Sequence, residues 1–133
     1  MTSRGKSRLA RPRQAAPPET LRLVTRALAD RKAVDPVVLD LRELTAAADY
    51  FVIASGTSDA HVRGMANHLL TTLAPQGVRP HHVEGLPQGS WVLLDYVDFV
   101  VHVFHPELRD FYQLERLWGD AAVLVSVPPD EMK

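Results

Sequence analysis

Apolar and polar positions along the chain change period several times, and each change predicts an element. In "PPETLRLVTRALADRK", Leu21, Val24 and Leu28 recur at helical spacing, with proline near the start and Glu19 in the first turn, so a helix begins near Pro17. "DPVVLDLREL" predicts a short strand from Val37 to Leu41, started by Pro36. "DYFVIAS" is an aromatic and β-branched run that suits a second, more buried strand. Val62, Met65, Ala66, Leu69 and Leu73 then follow the i, i+3, i+4, i+7, i+11 pattern of a helix with one buried face, ended by Pro75 and Gly77. "RPHHVEG" predicts a third strand and "SWVLLDYVDFVVHVF" two more about a tight turn. A mixed segment, "HPELRDFYQLERLWGDA", a last short strand, "VLVSV", and an exposed end, "PPDEMK", complete the chain. The order α-β-β-α-β-β-β-α predicts an α/β fold of the α+β kind, a mixed sheet flanked by helices. No internal repeat or second domain is visible.

The hairpin is the most informative element. With Tyr96 and Val97 as a two-residue loop, Asp95 faces Asp98, Leu94 faces Phe99 and Trp91 faces His102. Strand alternation then places Val92, Leu94, Phe99, Val101 and Val103 on one apolar face. The other face receives Trp91, Leu93, Asp95, Asp98, Val100, His102 and Phe104. Aromatics beside carboxylates and an imidazole suit a recognition surface. The same face would also fit beneath the C-terminal helix, with Trp91 and His102 satisfied internally.

Composition narrows the class. A chain of 133 residues, 46% hydrophobic, suits one domain with its own core. The absence of cysteine excludes disulfides, thiolate metal sites and cysteine nucleophiles. No apolar run reaches the roughly 18 residues that span a membrane, and no secretory h-region is visible, so a cytoplasmic protein is expected. The net charge of −1 conceals a division: residues 1–13 hold five basic side chains and no acidic one, leaving 10 basic and all 16 acidic side chains for the rest. The boundaries expected are a disordered basic tail over 1–18, one domain over 19–127 and a flexible C-terminus over 128–133. The tail fits either a solvated extension or a contact with nucleic acid phosphates.

Candidate chemistry is sparse. "ADYFVIASGTSDAHVRGMANHLLTTL" reads as strand, small-residue turn and helix, the setting in which many proteins hold a phosphate. Here Gly56 stands alone with no lysine nearby, Ser58 suits an N-cap, and Asp59 already complements the helix dipole, so the turn reads as architecture. His61 and His68 are about 10.5 Å apart along a helix axis, too far to share a metal. His81 and His82 point to opposite faces of a strand, and no zincin spacing occurs, so no metal or cofactor is expected. There is no G-x-S-x-G elbow. Asp95 and Asp98 straddle a turn, whereas magnesium-dependent nucleotidyl transfer mounts carboxylates as D-x-D on one strand face.

"ADYFVIASGTSDAHV", "GSWVLLDYVDFVVHVF" and "RDFYQLERLWGDA" resemble, in order and at compatible spacing, the signature segments of the ribosomal silencing factor family, also called Iojap or RsfS. The resemblance covers roughly Leu21 to Ala121. It implies a nucleotidyltransferase-like fold that is catalytically inactive. It further implies binding to ribosomal protein number fourteen of the large subunit, which blocks subunit joining and represses translation under nutrient limitation. The motif positions it carries over are Trp91, Asp95, Tyr96, Asp98, His102 and Phe104 in the hairpin, and Tyr112, Leu114, Glu115 and Trp118 in the C-terminal motif. Trp91, Tyr112 and Trp118 are then aromatic anchors, and Asp95, Asp98 and Glu115 partners for basic groups, unless Arg109 and Arg116 engage those acids internally. The resemblance also allows a homodimer. The tail, outside the family core, becomes a candidate contact for ribosomal RNA.

One position departs from the family. Val97 stands where glycine is common, and a β-branched residue suits positive φ poorly, which predicts a wider loop. The alternative function is a divergent magnesium-dependent nucleotidyl- or phosphoryl-transfer enzyme using Asp95, Asp98 and the Gly56 turn.

Overall fold

The computed structural model of the chain describes residues 18–43, 48–107 and 122–126. Helix α1 spans Pro18–Asp30 and is followed by β1, Val34–Asp40, and β2, Tyr50–Ser55. Helix α2, Asp59–Leu73, runs into a short 3-10 turn at Ala74–Gln76. Then come β3, His82–Glu84, β4, Trp91–Asp95, β5, Phe99–Phe104, and β6, Ala122–Ser126. The strands form one sheet in the order β3-β4-β5-β2-β1-β6. β2 and β5 pair in parallel and every other pair is antiparallel, which makes the sheet mixed, as the pattern of the chain predicts. The mixed segment from residue 108 to 121 lies outside the described residues.

Both helices cover one face of this sheet. Val24, Ala27 and Leu28 of α1 and Val62, Met65, Ala66, Leu69 and Leu73 of α2 are buried against Val38, Val52, Ala54, Val92, Leu94, Val101 and Val103. The α2 residues are those that the helical periodicity selects. On the second face a smaller cluster joins Leu39, Leu41, Ile53 and Phe104, with Val37, Phe51 and Trp91 packed beside it.

The strand–helix junction after β2 is built for close approach. Ser58 caps α2, its side chain accepting from the His61 N–H at 3.0 Å. The Gly56 N–H donates to the Phe104 carbonyl at 2.9 Å, and the Thr57 N–H donates to His61 Nδ1 at 2.8 Å. His61 Nε2 in turn donates to the Arg31 carbonyl at 2.5 Å, which ties the end of α1 to the start of α2. Three N–H groups that a phosphate cradle would offer therefore already have acceptors.

The hairpin differs from expectation in register. Trp91 pairs with Phe104, Leu93 with His102, Leu94 with Val101 and Asp95 with Val100. The loop is Val97 and Asp98, one residue later than Tyr96 and Val97, closed by the Tyr96 N–H donating to the Phe99 carbonyl at 2.9 Å. Trp91 does not face His102 across the ladder, nor Asp95 Asp98, nor Leu94 Phe99. The loop is also no wider. Val97 takes φ 75° between an N–H donated to Asp95 Oδ1 at 2.8 Å and an Asp98 N–H donated to the Tyr96 carbonyl at 2.8 Å. The Asp98 carbonyl accepts from Asp49 and Tyr50 at 2.8 and 3.3 Å, so contact with the start of β2 fixes the turn. Moving the loop by one residue slides the pairing by two. Side chains keep their faces under an even slip, and both predicted faces survive.

A Cβ on Gly56 would lie 2.8 Å from Met65 Cε, 2.9 Å from Val62 Cγ2 and 3.1 Å from the Val62 nitrogen. Gly56→Ala is therefore expected to destabilise the fold by about 1–3 kcal/mol through overpacking at this junction. Urea unfolding of the variant beside the parent chain measures it.

Candidate protein-docking face

The second face of the sheet grades from interior to surface. Its positions on β1, β2 and β5 are mostly buried, whereas Trp91, Leu93 and Asp95 on β4 and Val100 on β5 are half-buried, and His82 and Glu84 on β3 are exposed. Pairing sets the rows: Glu84 lies beside Leu93 and then His102, and His82 lies beside Asp95 and then Val100. The result is an apolar strip with a tryptophan at one end and carboxylates along its rim.

Trp91 is held from several sides. Gly85, at φ 79°, lets the chain turn so tightly into β4 that a Cβ there would collide with the Trp91 carbonyl. The indole packs on Phe104 with ring centroids 4.8 Å apart, and its Nε1–H donates to His102 Nδ1 at 3.3 Å. His102 also meets Phe51 edge-on at 4.7 Å. At 5% exposure the imidazole is desolvated, which pushes its pKa down to about 4 from the ordinary 6.5. It is therefore neutral with its proton on Nε2, which has no hydrogen-bond partner among the described residues, at a cost of about 1–3 kcal/mol.

Asp95 is divided between structure and surface. Oδ1 accepts from the Val97 N–H in an Asx-type turn, while Oδ2 has no partner among the described residues. Along the edge, His82 Nε2 and Glu84 Oε2 are 2.7 Å apart and largely exposed. Val97, 42% exposed, is the large hydrophobic residue that stands out beside Asp95.

The family model described as "Ribosomal silencing factor during starvation" matches residues 14–133. The chain belongs to the ribosomal silencing factor family. A ribosomal silencing factor from Halalkalibacterium halodurans is 42% identical over 103 residues, 77% of this chain and 88% of that one. A mouse protein named for mitochondrial assembly of the ribosomal large subunit is 38% identical over 73 residues, 53% of this chain and 32% of its own length. A crystal structure of a Chromobacterium violaceum protein superposes with a TM-score of 0.74 at 37% identity, covering 84% of this chain and 95% of that one.

The motif residues carried over from the RsfS family separate in space. Trp91, Asp95 and Asp98 are half-buried. His102 and Phe104 lie beneath Trp91, with Phe104 fully buried. Tyr96 belongs to the opposite, helix-covered face, where it stacks on Phe99 at 4.8 Å with its hydroxyl buried, without a partner among the described residues, and its pKa pushed up to about 12 by desolvation. Tyr112, Leu114, Glu115 and Trp118, with Arg109 and Arg116, lie outside the described residues. Sequence reasoning placed Leu93 and Val100 on this face but did not bring His82 and Glu84 to it. The alternation within "HHVEG" and "WVLLD" contained the signal, but the pairing of β3 with β4 is needed to join them.

The depressed pKa of His102 sets a direction for stability. The unfolded imidazole takes up a proton near pH 6.5, while the folded one resists until about pH 4. Folding is thus fully supported by this group above 6.5 and loses about 3 kcal/mol as pH falls to 4. His102→Gln, which does not titrate, is expected to flatten that part of the profile. Urea midpoints of both proteins at pH 7.5, 5.5 and 4.5 provide the check.

Proposed function

We propose that the chain represses translation by docking its second sheet face on ribosomal protein number fourteen of the large subunit, so that the small subunit cannot join. The observation that supports this reading most directly is that half-buried Trp91 shares a strand face with Asp95, one of whose oxygens has no partner among the described residues, with Glu84 and Asp98 at the rim. Interface energy concentrates in aromatic anchors, and a carboxylate offers a basic partner a charge-assisted bond. Family membership supports a role in ribosome-associated regulation, and the mouse relative's name ties that protein to the large subunit. Occupying about 800 Å² of each partner is enough for a stable complex. Steric exclusion then requires no bond to be made or broken, and the chain acts without catalysis, metal or cofactor.

Phe104 and His102 support the surface from below. Tyr112, Leu114, Glu115 and Trp118 extend it in this reading, a tail over residues 1–18 adds contacts to ribosomal RNA, and self-association into a homodimer competes with docking. The domain proper runs from 19 to 127. The occupied N–H groups at the Gly56 junction give no support to nucleotidyl transfer. None of the helices among the described residues is long and apolar enough to cross a membrane.

Trp91→Ala is expected to weaken binding to purified large subunits by roughly 30-fold or more, the effect of a hot-spot anchor. Asp95→Asn keeps the acceptor for the Val97 N–H but removes the charge, and a tenfold or greater loss is expected. Co-sedimentation with large subunits and light scattering of subunit joining read both. Two variants that bind and block like the parent chain would place the docking face elsewhere.

A further inference from the structure

Away from the docking face the surface changes sign. Residues 1–32 hold nine of the 15 basic side chains and two of the 16 acidic ones. The described part of that segment is a patch on the helical side of the molecule. Arg22 and Arg26 are exposed one turn apart on α1, and Arg31 and Lys32 are exposed where the helix ends. Arg22 and Arg26 are about 6 Å apart along the axis on one side of α1, and Arg31 and Lys32 follow in the turn that ends it, roughly 12 Å along the axis from Arg22. The two acids nearby are Glu19, exposed in the first turn, and Asp30, whose Oδ2 sits 3.2 Å from His68 Nε2 on α2. None of the four cations has an ion-pair partner among the described residues.

Lys32 provides an independent observation. The Ala33 N–H donates to the Leu28 carbonyl at 3.0 Å and the Lys32 N–H to the Ala29 carbonyl at 2.9 Å, the two bonds of a Schellman ending. Ala33 and Leu28, both buried, make its hydrophobic contact. Lys32 occupies the left-handed position of that motif at φ 60°, where glycine is ordinarily found. A cation is thus kept at a backbone conformation that strains it, beside Arg31. Strain of this kind persists only where the surrounding structure holds it, and it clusters at positions with a function.

We propose that Arg22, Arg26, Arg31 and Lys32 form a phosphate-binding surface for the backbone of ribosomal RNA. Three of the four are arginines, whose forked guanidinium donors match a phosphate bidentately. The patch lies on the layer opposite the docking face, so the acidic rim can engage a basic protein while the basic helix engages RNA. The choice of ribosomal RNA rests on the function proposed above, whereas the phosphate chemistry does not.

The test uses the full-length chain and a fluorescently labelled RNA hairpin, with anisotropy read between about 50 and 200 mM salt. Arg22→Ala with Arg26→Ala is expected to weaken binding roughly tenfold at the lower salt and to reduce the log–log salt slope by about 1.5. Lys32→Gly is expected to weaken binding about threefold while raising the melting temperature by about 3 °C, because glycine relieves the strain. That pairing separates lost contact from lost fold. Affinity and slope equal to the parent chain in all variants would overturn the proposal. So would a result in which deleting residues 1–18 alone abolishes RNA binding while the helix variants match the parent. Loss of a salt-sensitive dimer in the same variants, without RNA binding, would assign the patch to a second copy and also overturn it. Binding of Arg22→Ala/Arg26→Ala to isolated ribosomal protein number fourteen should be unchanged, so the docking face and the RNA surface fail or stand separately.

Discussion

Strand alternation in the β4–β5 hairpin is the constraint on which the rest depends. Val92, Leu94, Val101 and Val103 must face α1 and α2, because that side holds the larger core. A strand that commits these residues inward has no freedom over their neighbours, so Trp91, Leu93 and Asp95 are turned to the other side. The proposed docking surface is thus a consequence of core formation. Its polarity comes from the side chains placed at the outward positions, and its rigidity comes from the sheet behind them. A site mounted on a strand keeps its geometry better than one mounted on a loop.

Beneath that surface, aromatic packing replaces ordinary polar satisfaction. His102 uses one nitrogen for Trp91, and the other, set among Phe51, Phe104 and the indole, has no partner among the described residues. The arrangement holds only while the imidazole is neutral, since a proton on Nδ1 would remove the acceptor for Trp91. Desolvation enforces the neutral form and so fixes the direction of the indole. The Gly56 junction plays a comparable role on the other side of the sheet, where His61 links the Thr57 amide to the end of α1.

Element types were legible because periodicity is local. The i, i+3, i+4 series from Val62 to Leu73 identified the buried side of α2, and Ser58 with Asp59 marked its start. The two hairpin faces were also legible, since an even slip of register preserves them. The register itself was not. It depends on the Asp98 carbonyl meeting Asp49 and Tyr50, nearly 50 residues earlier, and on Val97 accepting a conformation its side chain disfavours. The same reason hid the contribution of His82 and Glu84, which reach the site through strand pairing. It also hid the ending of α1, where Lys32 stands in place of the glycine that would have announced it. Tyr96 was placed with the family motif by its position in the chain, yet it belongs to the core beneath the helices.

Amide hydrogen exchange of the full-length chain, free and bound to isolated ribosomal protein number fourteen, tests the proposed docking face most directly. Slowed exchange is predicted across His82–Glu84 and from Trp91 through Asp98, with α1 unaffected. Protection confined to α1 and α2, with the β3–β4 edge exchanging as in the free chain, would contradict it.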